Sequence, residues 1–493
     1  MAGIGIRLNK IFGKGTITTN LIGFGYSTMF TIAPMFLVIG AVALMQALLG
    51  YSRVGYAERE LYSCTVLYIF IFALLAAAPF NSVLSKYLSD VIYNETYEDI
   101  RPCFFLGLWL NMLLAALAGI PFCVRWYLAG GSDLSYVFAG YCGYISLVLV
   151  FYSMLYLSIC KDYKKISIFY LLGMTLTVLL SLFFVYVLGM EVTFSMLLAL
   201  DGGFLLIASL ELALVKSYFR VNSGRYREVL AYFRKYPQLV AANFLYTLGL
   251  FIHNFVFWNT DMRIEVAGSF VCMTSYDMAS CLAMFTNISA SVIFISRVEM
   301  RYHERYKAYS EAVIGGRGID IQNAKKRMFR QLSDELMNLA RIQFIISCAI
   351  FFVCIVLLPR LGIGGQVMRI YPCLAAGYFI LFLMYAAIIF LYYFNDLKGA
   401  VLTAASFCGI TFLGSLFSSQ LSAPWYGLGL VAGAFTGFCA AYHRLRVMER
   451  TLDIHVFCQG SIIKAGHGRK LSNLVYGGPT PKMETKLEKK RGR

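Results

Sequence analysis

KSYFRVNSGRYREVLAYFRKYP, residues 216–237, is a long polar, basic interruption between two very apolar halves of similar length. It carries Lys216, Arg220, Arg225, Arg227, Arg234 and Lys235, and it closes on Pro237. Six apolar runs precede it and six follow. The fold class read from this pattern is all-α: a polytopic membrane protein of about 12 transmembrane helices, in two six-helix lobes around a central cavity. Paired bundles of this kind are typical of carriers whose substrate path lies between the halves.

Composition agrees with that class. The hydrophobic fraction of 59% exceeds the roughly 45–50% of soluble chains. In a membrane protein a net charge of +17 points to cytoplasmic loops against anionic lipids, not to nucleic acid. The 13 cysteines are scattered, with no CxxC pair, and read as small apolar fillers instead of metal or disulfide ligands. No cofactor is expected.

Around the connector, residues 217–237, the chain divides as follows. Residues 1–20 alternate apolar and basic positions and read as an amphipathic segment on the membrane surface. The N-lobe, 21–216, holds spans at 21–49, 61–80, 102–124, 134–160, 166–188 and 193–215. The C-lobe, 238–442, holds spans at 238–258, 270–295, 342–358, 371–394, 401–421 and 425–442. Pro34 lies inside the first span, while Pro102, Pro237, Pro372 and Pro424 sit where spans begin. Between spans eight and nine, residues 296–341 place Ile321, Ala324, Met328, Leu332, Leu336 and Leu339 at helical spacing. That stripe predicts an amphipathic helix on the inner membrane surface. Residues 443–493 read as a basic cytoplasmic tail.

These boundaries leave all 43 Lys and Arg outside the spans. Loops after odd-numbered spans hold only Arg53, Arg59, Arg125, Arg263, Arg360 and Arg369. The asymmetry predicts the cytoplasmic membrane with both termini on the cytoplasmic side. Trp126, Trp258 and Trp425 then fall at the outer interface, where an aromatic belt belongs.

The chain has no GxxxxGK[ST] phosphate loop and no paired histidines, so neither a Walker site nor a histidine metal site is expected. No enzyme activity is expected either. The informative residues are polar groups inside spans, which are costly in lipid and face a bundle interior. Counting 1.5 Å per residue places Asp201, His253, Asn254 and Asp277 in one layer about 8–12 Å below the outer surface. Glu211 and Asn243 form a second layer near the inner side, and Asn111 falls near mid-depth. These seven are the transport-cavity candidates, with Asp201, Glu211 or Asp277 titrating or binding a cation. The alternative for each is a structural hydrogen bond between helices. The spans predict no buried Lys or Arg of the kind a lipid-diphosphate headgroup would need. With 34 Tyr and 40 Phe, aromatic faces are available for the apolar C–H faces of sugars.

Several segments carry a family resemblance: MAGIGIRLNKIF (1–12), YTLGLFIHNFVFW (246–258), YDMASCLAMF (276–285), RVEMRYHERYKAYSEAVIGG (297–316) and YYFNDLKGA (392–400). The chain resembles the PelG family, the polytopic membrane component of Pel exopolysaccharide systems. The resemblance implies a fold of the multidrug/oligosaccharidyl-lipid/polysaccharide exporter type. It also implies transport of a polymer rich in N-acetylgalactosamine, coupled to a PelF-like glycosyltransferase and working with PelD-like and PelE-like membrane proteins. The docking face expected for such partners is basic: Arg225, Arg227, Arg234, Arg301, Arg305, Lys325, Lys326 and Arg327. Two other readings stay open, a small-molecule cation/drug antiporter on the same fold and a non-transporting scaffold for the glycosyltransferase.

Overall fold

The computed structural model describes residues 17–160, 162–297, 302–360 and 364–457. Among these residues the chain forms fourteen α-helices and one two-stranded sheet. The first half holds α1 (Ile17–Leu48), α2 (Tyr56–Tyr93), α3 (Ile100–Leu128), α4 (Leu134–Ile159), α5 (Tyr163–Tyr186) and α6 (Val192–Tyr218). The connector carries a short helix, α7 (Tyr226–Lys235). The second half holds α8 (Pro237–Phe257), a hairpin of β1 (Ile264–Val266) and β2 (Phe270–Cys272), and α9 (Thr274–Arg297). Then follow α10 (His303–Gly315), α11 (Gly318–Arg360), α12 (Gln366–Tyr393), α13 (Leu397–Ser418) and α14 (Leu428–Phe457). Among the described residues nine helices are long and apolar enough to cross a membrane. The remaining expected spans coincide with α1, α9 and α14, which fall short of that measure over the described residues.

The two halves are built alike. In the first, α5 packs on α6, α4 on α6, α1 on α5, α2 on α4, α3 on α4 and α2 on α3. In the second, α13 packs on α14, α12 on α14, α8 on α13, α9 on α12, α11 on α12 and α9 on α11. Each of these six pairings recurs six membrane helices later. The lobes meet where α2 packs on α8 and α1 on α9, which is the same contact exchanged between halves.

Close packing repeats with it. A Cβ on Gly203 of α6 would lie 1.9 Å from Thr177 Oγ1 and 2.9 Å from the Gly173 carbonyl of α5. A Cβ on Gly433 of α14 would lie 1.9 Å from Thr411 Oγ1 and 2.9 Å from the Phe407 carbonyl of α13. Lipid offers helices no hydrophobic drive to associate, so small residues that let backbones touch hold such seams together.

The structure departs from the sequence expectation in four places. Span eight does not begin at Phe270, because Phe270–Cys272 pairs antiparallel with Ile264–Val266 and the helix starts at Thr274. Ala267 and Gly268, both at positive φ, make the primed turn that suits a hairpin. The stripe on residues 321–339 packs against protein. Met328, Leu332 and Leu339 are buried in a second core with Leu445, Met448 and Leu452, and Ile321, Ala324 and Leu336 pack against it. That core exists because α14 runs on to Phe457, beyond the expected end of the last span at Tyr442. Pro372 lies inside α12, not at its start. Trp126 and Trp258 are buried at 2% and 5% exposure, and only Trp425 of the expected belt is exposed. The amphipathic reading of 1–20 and most of the tail, from 458 on, fall outside the described residues.

At the other end of α13, Asp396 caps the helix by accepting from Gly399 N and receives a two-pronged hydrogen bond from Arg444, at 3.0 and 2.9 Å. This fork ties α13 to the extension of α14, in the geometry that makes Arg–carboxylate pairs strong.

Candidate functional site

Proline cannot donate to a helix ladder, so Pro79 interrupts α2 partway along its length. Beside the break, the Asn243 amide of α8 donates to the Ala78 carbonyl. Ser82 Oγ donates to the Leu239 carbonyl at 3.2 Å. Polar side chains thus stitch the two lobes together where α2 is weakest.

From there toward the hairpin, α2, α3 and α4 enclose a cavity of about 480 Å³, completed by Phe244 of α8 and Phe270 of β2. Its lining is aromatic and apolar, and none of the lining residues is charged. Tyr68 is one of its lining residues. The ring stacks on Trp258 with centroids 4.8 Å apart and 5° between planes, and it meets Phe270 edge-on at 4.9 Å. The hydroxyl donates to the Val271 carbonyl at 2.8 Å and accepts from Val271 N at 3.1 Å. Phe270 also meets Trp126 edge-on at 4.6 Å. A hairpin of the second lobe is therefore pinned over helices of the first, forming one end of the cavity.

The seven candidates are distributed as follows. Asp201 of α6 is 6% exposed and faces α4, where a Cβ on Gly143 would lie 2.2 Å from its Oδ1. Neither of its carboxylate oxygens has a hydrogen-bond partner among the described residues. Glu211 is fully buried in the same α4–α6 seam and accepts from Ser153 Oγ at 2.6 Å. Asn111 donates to the Gly107 carbonyl of its own helix at 3.0 Å. In the second lobe Asp277 and Asn254 come together: the Asn254 amide donates to Asp277 Oδ1 at 2.7 Å. Asp277 also accepts from Trp258 Nε1 at 3.0 Å and from Met273 N at 3.1 Å. His253 Nδ1 lies 2.8 Å from the Tyr276 hydroxyl. Asn243 spans the lobes as described above. None of the seven is among the cavity-lining residues, and the acidic groups of the two lobes do not form one cluster.

Sequence reasoning missed the aromatic cage. It assigned Trp126 and Trp258 to a lipid belt and left Tyr68, Phe122 and Phe270 without a role. Pro79 was the available signal, a mid-span proline ahead of a lobe contact.

Asp277 accepts from three donors. Asp277→Ala should strand the Trp258 and Asn254 donors, at a cost of about 2–4 kcal/mol. The expected result is a lower melting temperature and lower membrane yield, with Asp277→Asn milder. Unchanged thermal stability with lost transport would instead assign Asp277 to the transport step.

On the docking face, Arg225, Arg227, Arg234, Arg305, Lys326 and Arg327 are exposed. Arg225 lies 3.5 Å from Asp99, and Lys325 is half-buried in a 2.7 Å pair with Asp453. Arg301 falls outside the described residues.

Residues 1–457 match the sequence profile of PelG, described as "Putative exopolysaccharide Exporter (EPS-E)". Comparison with curated proteins by sequence found no match. Among solved structures the chain is similar to a MATE transporter crystallised in complex with MaL6, with a TM-score of 0.56, 14% identity, and 88% of this chain and 97% of that one covered. It is similar to a multidrug resistance MATE transporter of the MOP superfamily in an inward-facing conformation, at TM-score 0.55 and 13% identity, covering 86% of this chain and 99% of that one. An outward-facing MATE transporter of that superfamily gives 0.54 and 13%, covering 90% and 99%. At such identities the likeness shows the fold alone, which is MATE-like.

Proposed function

Because the chain belongs to the PelG family of exporters, we propose that it moves a Pel-type exopolysaccharide, rich in N-acetylgalactosamine, across the cytoplasmic membrane while a PelF-like glycosyltransferase elongates it. The observation that carries this reading is the uncharged aromatic cavity against the lobe seam. Its volume of about 480 Å³ lies within the roughly 300–1,000 Å³ of ligand-binding clefts. Ring faces such as Tyr68, Phe122 and Trp126 suit the apolar faces of a neutral sugar, while tyrosine hydroxyls serve its polar edge. A chain without a cationic grip in that cavity fits a neutral glycan better than a diphosphate headgroup.

The termini lie in the cytoplasm in this reading, so the hairpin faces outward and the core of α10, α11 and α14 faces the synthase. The exposed arginines of α7 and α10, with Lys326 and Arg327 of α11, form the docking face for the glycosyltransferase and for PelD-like and PelE-like proteins. Asp201, buried beside Gly143 without a partner among the described residues, is the coupling residue, because a buried acidic group with no protein partner is one that a proton or cation can occupy.

Proteoliposomes holding the exporter and the glycosyltransferase, supplied with labelled sugar nucleotide, test this. Polymer should accumulate on the side opposite the synthase, and an imposed proton or sodium gradient should raise the rate. Asp201→Asn should remove that gradient-driven increment, about tenfold or more, at equal protein level. An unchanged response would remove Asp201 from the coupling step. A second reading, a multidrug antiporter, draws on the MATE-like fold. It predicts extrusion of toxic organic cations without any synthase.

A further inference from the structure

Cys64 of α2 and Cys272, the last residue of β2, are 208 positions apart in sequence, yet their sulfurs lie 2.9 Å apart. One is on the first lobe and the other on the second. Both are buried, at 3% and 2% exposure. The flanking contacts fix the approach. One turn along α2, Tyr68 exchanges two hydrogen bonds with Val271, the neighbour of Cys272. One turn back, Glu60 Oε2 accepts from Thr274 Oγ1 at 3.3 Å. Helix and strand are therefore bonded on both sides of the sulfur pair.

We infer that Cys64 and Cys272 form a disulfide that joins the two lobes at the hairpin end of the cavity. The oxidant is a disulfide-bearing thiol oxidant acting by exchange. The Cys272 thiolate attacks one sulfur of that oxidant and displaces a thiol. The Cys64 thiolate then attacks the mixed disulfide at Cys272 and displaces the second thiol. Two protein thiols become one S–S bond, and the oxidant's S–S bond becomes two thiols. Cys272 suits the first step: the hydrogen bond from the Cys64 thiol lowers its pKa, against the opposing effects of burial, Asp277 and Glu60.

Glu60, Cys64 and Cys272 also place three metal-type donor atoms within 4.8 Å of one another. Two thiolates on a tetrahedral zinc ion stand about 3.8 Å apart, given Zn–S bonds of about 2.3 Å. The observed sulfurs are closer than that, which favours bond formation over shared coordination.

Closure of this bond holds the lobes together beside Tyr68, so exchange between lobe arrangements should stop until it is reduced. That consequence rests on the exporter reading; the bond itself does not. The test uses the full chain purified in detergent and treated with 4,4′-dithiodipyridine. Relative to the Cys64→Ser/Cys272→Ser double variant, release of two further thiopyridones is expected, together with a peptide linking Cys64 to Cys272 that survives alkylation, comes apart on reduction and is lost in either single serine variant. A stable thiopyridyl adduct on either cysteine, or protection of both by zinc without linkage, would overturn the proposal. In proteoliposomes the linked protein should export about tenfold more slowly and recover on reduction, with the double serine variant insensitive. Linkage with unaltered export would leave the disulfide standing and show that export needs no exchange between lobe arrangements.

Discussion

Gly203→Val is expected to remove folded protein from the membrane. A Cβ there would sit 1.9 Å from Thr177 Oγ1 and 2.9 Å from a backbone carbonyl of α5. The hydroxyl can rotate, but the carbonyl belongs to a helix that cannot move without parting from α1 as well, since α5 packs on both α1 and α6. Overpacking of a close seam costs about 1–3 kcal/mol and more where backbone blocks the new atoms, so about 3 kcal/mol or more is expected here. Gly433→Val should do the same to the second lobe, where the geometry is reproduced against Thr411 and Phe407. Gly409→Val is the control, because nothing lies within 4 Å of its added Cβ. Size-exclusion profiles of a fluorescent fusion would show a monodisperse peak for Gly409→Val and loss of at least nine-tenths of it for the other two. A monodisperse Gly203→Val protein at parental level would mean the α5–α6 seam yields more easily than its carbonyl contact implies.

Ala76→Phe and Ala118→Phe are expected to abolish export while leaving the protein and its synthase in place. Both alanines line the cavity, one on α2 and one on α3. Filling the space adds apolar surface to an apolar lining, so neither change introduces a buried polar group and little stability should be lost. Polymer should then collect on the synthase side, with appearance on the far side reduced about a hundredfold. The outcome separates export from scaffolding. If far-side polymer persists with the cavity filled, the route lies elsewhere; if synthesis itself stops, the chain acts by activating its synthase.

The lobes were legible because lipid enforces the signal. Every backbone group in hydrocarbon must pair within its own helix, so spans announce themselves as long apolar runs. What was illegible is what depends on partners distant in sequence. Phe270–Cys272 merges with the apolar run of α9, and only the Ala267–Gly268 turn hinted at a hairpin. The apolar positions Leu445, Met448 and Leu452 lie at helical spacing inside a basic stretch that composition labels a tail. They found their meaning only when the stripe on residues 321–339 packed against them. Polar residues in spans were found as types, but depth counting along each helix could not say which lobe seam each one enters. Asp201 and Asp277, assigned to one layer, lie in different lobes and have opposite surroundings, one without hydrogen-bond partners among the described residues and one with three.

Helix α11 runs unbroken for 43 residues, from the core shared with α14 to the far end of its span. At 1.5 Å per residue it is a strut about 65 Å long. Its only proline, Pro359, comes in the last turn, so it has no joint at the membrane surface. A push on the α14 end cannot be absorbed by bending there. It becomes rotation of the whole strut, and a tilt of about 5° displaces the opposite tip by roughly 6 Å over that length. A protein gripping the soluble end would therefore apply torque directly to the second lobe, and the growth of a polymer at that end would be mechanically geared to movement in the bilayer.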